Sequence, residues 1–270
     1  MKADARRLSV HVPMIVLSLL AVFPVWWMVV TSLKPENEIF STRLWPASPS
    51  LENYAYVLDA IPMIRILWNT FAMAAATATA QVLTGLCAAY ALTRWRFRGA
   101  SVAQGLIALS WLVPFQLTMI PNYVLATQLG LLNTIAGLVI PNAAAAFAVL
   151  VLTNAMRSFP KDLIDAARMD GAGHFRVLCE VVVPNLRAPL ASLGVLVFIS
   201  AWNEYFWPLL LTRRIEDTVV QIGLQMFMTQ EGNQWGALMA AATLASLPIL
   251  LLYLVLHRQI IESFMRSGIR

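Results

Sequence analysis

The sequence predicts an all-α, polytopic membrane protein with six transmembrane helices. Of its 270 residues, 59% are hydrophobic and only 12% are charged, a balance too apolar for an ordinary soluble domain. Long apolar stretches recur along the chain, and short segments rich in Lys and Arg lie between some of them. Because about 20 apolar residues in a helix cross a hydrocarbon layer of about 30 Å, we expect one transmembrane domain covering residues 1–270.

Six stretches are long and apolar enough to cross a membrane. The predicted spans are residues 11–32, 66–92, 101–122, 134–156, 187–211 and 236–257. The first stretch is expected to be retained as a span and not removed as a signal peptide. It is long, lacks a clear small-residue cleavage site, and ends in Trp26, Trp27 and Lys34.

The distribution of Lys and Arg predicts the orientation, since short cationic loops stay on the cytoplasmic side. The N-terminus, residues 93–100, residues 157–187 and the C-terminal tail together hold 14 of the 19 Lys and Arg residues. The other five lie on the opposite side: Lys34, Arg43, Arg65, Arg213 and Arg214. Both termini and the 157–187 loop are therefore expected in the cytoplasm. The net charge of +5 reflects this topology, and we assign it no nucleic-acid partner.

The loop between the fourth and fifth spans contains a polar, amphipathic segment, residues 160–184. Pro160 suits the first turn of a helix, and Asp162 and Asp165 place negative charge near its positive end. A glycine break at Gly171 then separates this helix from a second short one. Two short helices at an angle form a knob that fits a groove on a soluble partner. The alternative is a helix pair lying on lipid headgroups.

The predicted fifth span contains four consecutive candidates for a substrate path, Trp202, Asn203, Glu204 and Tyr205. Glu204 is the only acidic residue that we place inside a span, at about 24 Å along a helix counted from Ala188. Ionisable groups inside membranes usually face a cavity or a partner. The aromatic residues suit stacking on sugar rings, and their alternative role is an interfacial belt.

Other chemistry is not indicated by the sequence. Cys87 lies in the second span and Cys179 in the loop, so we expect no disulfide between them. His11, His174 and His257 show no ligand spacing, and no metal site is predicted. The chain has no Gly-x-x-x-x-Gly-Lys-Ser/Thr stretch. We therefore expect no ATP site in this chain and no enzymatic activity of its own.

Several motifs resemble those of ATP-binding-cassette (ABC) importer permeases. Asp165-Ala166-Ala167, Gly171 and residues 181–184 resemble the cytoplasmic EAA loop, Glu-Ala-Ala, three residues, Gly, nine residues, Ile-x-Leu-Pro. Further likenesses lie at residues 32–35, 51–54, 88–94, 96–99 and 202–205. Over nearly its whole length the chain is similar to the second, maltose-type permease of carbohydrate importers, and also to glycerol-3-phosphate permeases.

The resemblance implies a type I importer permease fold with a cytoplasmic coupling helix, in the bacterial plasma (inner) membrane. It also implies a homologous second permease, two ABC ATPases that bind ATP and Mg, and an extracellular or periplasmic solute-binding protein. The residues that match the coupling loop are Asp165, Ala166, Ala167, Asp170, Gly171, Phe175 and Pro184. Two features depart from the family: Asp165 replaces the usual Glu, and residues 262–270 differ from the usual tail.

The main alternative is a secondary transporter driven by an ion gradient. Such a transporter would show several buried ionisable groups and paired broken helices, whereas the sequence places one acid in a span and shows no inverted repeat. An intramembrane enzyme is disfavoured, since no Ser/His, paired-Asp or His-x-x-x-His arrangement lies at matching depth.

The charge distribution generates a test of topology. In a background with Cys87 and Cys179 replaced, a single cysteine near Asn53 should react with a membrane-impermeant maleimide added outside intact cells. Labelling of this cysteine only from the cytoplasmic side would show that the six-span topology is wrong.

Overall fold

A computed structural model describes residues 2–95, 97–229 and 232–268. Arg96 and Arg270, which were counted above among the cytoplasmic cations, lie outside these ranges.

The described chain is mainly helical. Its helices are α1 (Lys2–Ser32), α2 (Glu52–Ala60), α3 (Met63–Arg94), α4 (Ala100–Ser110), α5 (Phe115–Gln128), α6 (Ile135–Val139), α7 (Ala146–Arg157), α8 (Lys161–Met169), α9 (His174–Arg176), α10 (Val183–Asn185), α11 (Arg187–Trp202), α12 (Phe206–Leu211), α13 (Val220–Gln225) and α14 (Trp235–Gly268). Short 3-10 helices cover Glu36–Glu38, Ile140–Asn142 and Ile215–Asp217, and a π-helix covers Val177–Val182. Met228–Thr229 and Gly232–Asn233 pair as a two-stranded antiparallel hairpin. The predicted all-α class is confirmed.

Three described helical segments are long and apolar enough to cross a membrane: His11–Ser32, Met63–Arg94 and Trp235–Val255. Three bent helix pairs also pass the same test, which gives up to six spans if each pair crosses as one. The bend is 93° between α4 and α5, 51° between Ile135–Asn142 and α7, and 81° between His174–Asn185 and α11. Proline accounts for two of these breaks, because Pro114 caps α5 and Pro141 lies in the 3-10 turn before α7.

The predicted fifth span, residues 187–211, is not one helix. Helix α11 ends at Trp202, and α12 begins at Phe206. Pro208 explains this break, since in an unbroken helix its ring would clash with the carbonyl of Glu204 four residues earlier. In α12 the proline instead occupies the first turn, where it is tolerated. Glu204 therefore lies in a helix break and not 24 Å along a helix.

The chain divides into two compact units by its contacts. The larger unit comprises Arg65–Ile222 and Ile249–Arg270. Its core cluster contains seven buried residues: Met73, Ala126, Leu138, Trp207, Leu211, Val219 and Ile222. Trp207 donates its indole N–H to the Gly137 carbonyl at 3.1 Å, so α12 is joined to α6 by a buried hydrogen bond.

The other unit comprises Met1–Ile64 and Gly223–Pro248. Lys34 is buried in it, with Nζ donating to the Ser41 carbonyl at 2.9 Å and lying 4.4 Å from the centre of the Trp27 ring. The Asn53 amide donates to the carbonyls of Ser32 and Lys34, at 2.9 and 2.8 Å. These bonds tie α2 to the chain that follows α1.

The packing around α6 predicts a difference between two glycines. A Cβ at Gly137 would collide with the Leu131 carbonyl, whereas a Cβ at Gly105 would meet nothing within 4 Å. Gly137→Ala should destabilise the protein by about 1–3 kcal/mol through overpacking. Gly105→Ala, in the middle of α4, should be neutral or stabilising by up to about 1 kcal/mol. Thermal unfolding of the detergent-purified variants measures both, and equal midpoints for the two variants would contradict this packing.

Candidate coupling surface and solute cavity

The segment that resembles a coupling loop folds as a helical hairpin, here called the loop hairpin (residues 161–185). Its first arm is α8, and Pro160 caps it as the sequence predicts. One side chain of this arm, Ile164, is buried. Asp165 and Ala166 are exposed, and Ala167 is half-buried. The first arm therefore exposes Asp165 and Ala166, while Ala167, three residues after Ile164, lies toward the buried side.

Gly171 ends the first arm with a left-handed residue. Its φ is +80°, a conformation that side chains with a Cβ rarely adopt. The Gly171 N–H donates to the Arg168 carbonyl and the Ala172 N–H donates to the Ala167 carbonyl, both at 3.0 Å. This is the Schellman pattern of a helix C-terminus. The expected glycine break is thus present, with Asp170 and Gly171 exposed on it.

The second arm is wider than the ordinary helix that its sequence suggests. A π-helix covers Val177–Val182, and its buried residues are Val177 and Val182, five positions apart. Pro184 lacks an N–H, so a carbonyl one turn earlier has no helical partner, which is compatible with a wider turn. Val177 and Val182 are the anchors of this arm, and Pro184 itself is exposed.

The turn of the loop hairpin exposes two large apolar side chains. Phe175 is 80% exposed and Met169 is 83% exposed. They stand among charged residues and make a small apolar surface that the chain itself does not cover. Phe175 was a sequence candidate and Met169 was not. The available signal was an isolated Met four residues after Asp165 on a polar helix.

Arg94 joins the start of the loop hairpin to the end of α3. One guanidinium nitrogen donates to the carbonyls of Met156 and Phe159, at 3.0 and 3.3 Å. The guanidinium also lies 5.7 Å from the centre of the Phe159 ring. These carbonyls stand at and just beyond the C-terminal end of α7, where helical partners are missing and a cation is favoured.

His174 makes a second connection between the loop hairpin and α3. Its Nδ1 lies 3.4 Å from the Tyr90 hydroxyl and 3.2 Å from a guanidinium nitrogen of Arg168. The Trp95 ring meets the imidazole edge-to-face with 5.8 Å between centroids. Sequence reasoning missed both connections, because it counted Arg94 only as a topological charge and His174 only as a loop histidine.

A cavity of about 330 Å³ lies in the larger unit, between α3, the Ile135–Asn142 segment, α7, α11 and α12. Polar and apolar side chains both line it. The lining residues are Met73, Thr77, Gln81, Leu138, Asn142, Phe147, Leu196, Val197, Ser200, Ala201, Glu204 and Trp207. Its volume lies at the lower end of the range of about 300–1,000 Å³ typical of small-molecule sites.

Glu204 and Asn203 are neighbours in sequence, but their side chains have different surroundings. Glu204 lines the cavity, and its Oε1 accepts the Trp207 backbone N–H at 3.3 Å, at the start of α12. Asn203 is exposed, donating to the Ile199 carbonyl at 2.8 Å and accepting from Gln221 at 3.2 Å. Of these two candidates, Glu204 alone is a lining residue.

Two aromatic candidates also lie away from the cavity wall. Trp202 is 1% exposed and stacks on Phe198 with 5.7 Å between centroids. Tyr205 is half-buried and meets Phe206 edge-to-face at 5.4 Å. Trp207 is the neighbouring aromatic residue that does line the cavity. A role of Trp202 and Tyr205 in the substrate path stays a prediction.

The polar lining residues Gln81, Asn142 and Ser200 were not predicted. Gln81 donates to the Asn142 backbone carbonyl at 2.7 Å, and Asn142 donates its amide N–H to the Leu138 carbonyl at 3.2 Å. Thr77 and Gln81 are four residues apart on α3, which is a weak signal of a polar helix face. Among the described residues, no group of three or more His, Cys, Asp or Glu side chains is placed to hold a metal ion.

Comparison with known proteins gives relatives that cover nearly the whole chain. It is 29% identical to the lactose transport system permease protein LacG of Rhizobium radiobacter, over 97% of each chain. It is 27% identical to the sn-glycerol-3-phosphate transport system permease protein UgpE of Brucella abortus, over 95% of each. The arabinooligosaccharides transport system permease protein AraQ of Bacillus subtilis is 24% identical, over 98% of this chain and 96% of AraQ.

Solved structures give the same fold. The chain matches a bacterial ABC transporter involved in the import of the acidic polysaccharide alginate with a TM-score of 0.77 and 25% identity. The match covers 96% of this chain and 98% of that chain. The inward-facing MetNI methionine ABC transporter matches with a TM-score of 0.55 at 16% identity, over 74% of this chain. The importer permease fold and the resemblance to carbohydrate permeases are confirmed.

A family model also matches directly. The model described as "Binding-protein-dependent transport system inner membrane component" matches residues 81–266, which include the loop hairpin and most of the cavity lining. Because this match spans well over half of the sequence, the chain belongs to the family of binding-protein-dependent transport system inner membrane components.

Proposed function

We propose that this chain is the permease subunit of an ATP-driven importer for a sugar or sugar-like solute, and that the loop hairpin binds a separate ATPase. One observation carries the proposal: the hairpin is fixed to the membrane helices on one side and presents Asp165, Met169 and Phe175 uncovered on its surface. Exposed apolar side chains rimmed by charge are typical of a docking site for a soluble protein.

The buried inner face of the loop hairpin supports a role in transmitting movement to the membrane helices. Ile164, Val177 and Val182 bury the inner face of the hairpin, while Arg94 and His174 connect it to α3. A surface attached in this way moves together with the helix ends that hold it. ATP-driven movement of a docked ATPase would therefore act on α3 and α7, the two helices joined at Arg94.

The other subunits of the proposed complex follow from the family and the resemblance. A homologous second permease completes the solute path, two ABC ATPases bind ATP and Mg, and a solute-binding protein delivers solute from outside. This chain has no Walker A sequence, so the energy must come from another chain. We place it as a multi-pass protein of the bacterial inner membrane, surrounded by lipid, with both termini and the loop hairpin in the cytoplasm.

Family membership disfavours the secondary transporter. Broken helices alone do not separate the two classes, since three bent pairs are present in the described chain. Glu204 is the one ionisable residue lining the cavity, whereas ion-coupled transporters generally hold several in their paths. An ATPase gene beside the gene for this chain is the simplest observation that distinguishes the two functions.

The docking role predicts an uncoupled complex when the hairpin surface changes. Asp165→Lys reverses a charge within the exposed helix, so the ATPase subunits should be lost on purification or remain without solute-stimulated hydrolysis. Asp59→Lys, an exposed acid on α2, is the matched control and should leave both properties unchanged. Retention of normal ATPase binding and transport by Asp165→Lys would favour a hairpin that only lies on lipid headgroups.

A pair of left-handed glycines tests the shape of the hairpin separately. Gly171 and Gly130 have φ of +80° and +68°, and a Cβ at either would meet nothing within 4 Å. Valine at either position should cost about 1–2 kcal/mol or more through backbone strain. Only Gly171→Val should reduce transport per ATP hydrolysed in reconstituted vesicles. Equal transport losses in the two variants would mean that strain alone, and not hairpin shape, is responsible.

Arg94 should be required for coupling after docking. Arg94→Ala removes two charge-assisted hydrogen bonds, each of a kind worth about 1.5–3 kcal/mol, and should leave the ATPase bound but poorly stimulated by solute. Arg94→Lys should be intermediate, because an ammonium group does not reproduce the guanidinium geometry. Arg98→Ala, at an exposed position nearby, is the control. Normal solute stimulation in Arg94→Ala would remove this connection from the mechanism.

A further inference from the structure

We infer that the cavity accepts an uncharged, polyhydroxylated solute and disfavours phosphorylated or carboxylated ones. The inference rests on the proposed function, since it takes the cavity as part of the solute path. None of the twelve lining residues is Lys, Arg or His, and the one ionisable residue among them is Glu204. An anionic solute would therefore meet a like charge and no cation from this chain.

The position of the Glu204 carboxylate strengthens the argument. Its Oε1 already accepts the Trp207 backbone N–H at the start of α12. The chain's own carboxylate thus already accepts from this donor. Two like charges about 4 Å apart near a protein surface repel strongly enough to lower binding by roughly two to three orders of magnitude. A phosphate or carboxylate beside Glu204 would face this repulsion.

Some donors of the neutral wall groups are used in the same way. Gln81 and Asn142 each give one of their two amide N–H groups to a backbone carbonyl, and Trp207 gives its indole N–H to Gly137. Each amide also carries an oxygen that accepts hydrogen bonds, as does the Glu204 carboxylate. Sugar hydroxyls supply donors to such acceptors, whereas a phosphate dianion or a carboxylate supplies none.

The apolar part of the cavity wall suits the C–H faces of a sugar ring. Phe147 contributes a partly exposed aromatic ring, and Trp207, Met73 and Leu138, each at most 2% exposed, form the buried apolar layer behind it. Aromatic rings pack against the C–H faces of pyranose rings while hydroxyl groups reach the polar side chains. The names of the relatives include both solute classes, lactose and arabinooligosaccharides on one side, and glycerol 3-phosphate and alginate on the other. The lining of this chain fits the first class.

The solute class can be measured without knowing the solute beforehand. Cells carrying the complete importer, and an isogenic strain lacking only this chain, are incubated with a plant-polysaccharide hydrolysate supplemented with lactose and glycerol 3-phosphate. The medium is then separated by anion exchange at pH 7, and solutes depleted only by the first strain are identified by mass spectrometry. We expect a neutral, polyhydroxylated solute in the unbound fraction.

The other outcomes are distinct. Chain-dependent depletion of a phosphorylated or acidic solute, or of one without hydroxyl groups, overturns the inference while leaving the importer function in place. No chain-dependent depletion in either fraction contradicts the proposed import function, and the inference then fails with it.

A matched pair of variants tests whether Glu204 faces the solute. Glu204→Lys should reduce uptake of the identified solute at least roughly tenfold, because the ammonium group cannot accept hydrogen bonds from hydroxyls and cannot accept the Trp207 N–H. Glu204→Gln keeps an acceptor oxygen and should reduce uptake less. Glu216→Lys, a similarly half-buried acid outside the cavity, should transport normally. The amount of assembled complex is measured for each variant, and wild-type uptake by Glu204→Lys would overturn the assignment.

Discussion

The contact between the Arg94 guanidinium and the carbonyls of Met156 and Phe159 determines where the loop hairpin stands. It joins the last residue of α3 to the end of α7 and to the residue before Pro160, from which the hairpin begins. Carbonyl groups at a helix end have no helical donors. A guanidinium there supplies hydrogen bonds to them, and its positive charge is favoured by the negative end of the helix dipole. The ring of Phe159 covers the same cation. Three segments therefore meet at one side chain.

The helix that ends at Arg94 also forms one wall of the cavity. Gln81 lines the cavity thirteen residues before Arg94 on the same helix, a separation of about 20 Å at 1.5 Å per residue. Phe147 lines it from α7, the other helix joined at Arg94. A displacement of the hairpin can therefore reach the cavity through two continuous helices. This arrangement gives the proposed coupling a physical connection between its two sites, both of which lie within the larger unit.

Local sequence patterns predicted most of the fold. The apolar stretches could be predicted because the thickness of the hydrocarbon layer sets their length. The first arm of the hairpin could be predicted from Pro160 and Gly171. The position of Glu204 was misjudged because it was counted along one helix, whereas Pro208, whose ring would clash with the Glu204 carbonyl, breaks that helix. The π-helical second arm was also missed, because composition alone does not distinguish a widened turn from an ordinary one.

The candidate sites were harder to predict from the sequence, since they depend on contacts between distant parts of the chain. Glu204 was identifiable as an isolated acid, but its companions Gln81 and Asn142 come from two other stretches of sequence. Trp202 was a sequence candidate, and only packing shows that it is buried and stacked on Phe198. Arg94 and His174 likewise gained their roles from tertiary contacts.

Site-directed cross-linking tests the central claim most directly. In a complex purified with its ATPase, with Cys87 and Cys179 of this chain replaced, Phe175→Cys would carry a short photoactivatable cross-linker. The same cross-linker on Leu117→Cys, at an exposed apolar position of α5, provides the control. We expect a covalent product with the ATPase from position 175 and none from position 117. Absence of the product from position 175 in an active, intact complex would contradict the assignment of the loop hairpin as the ATPase contact.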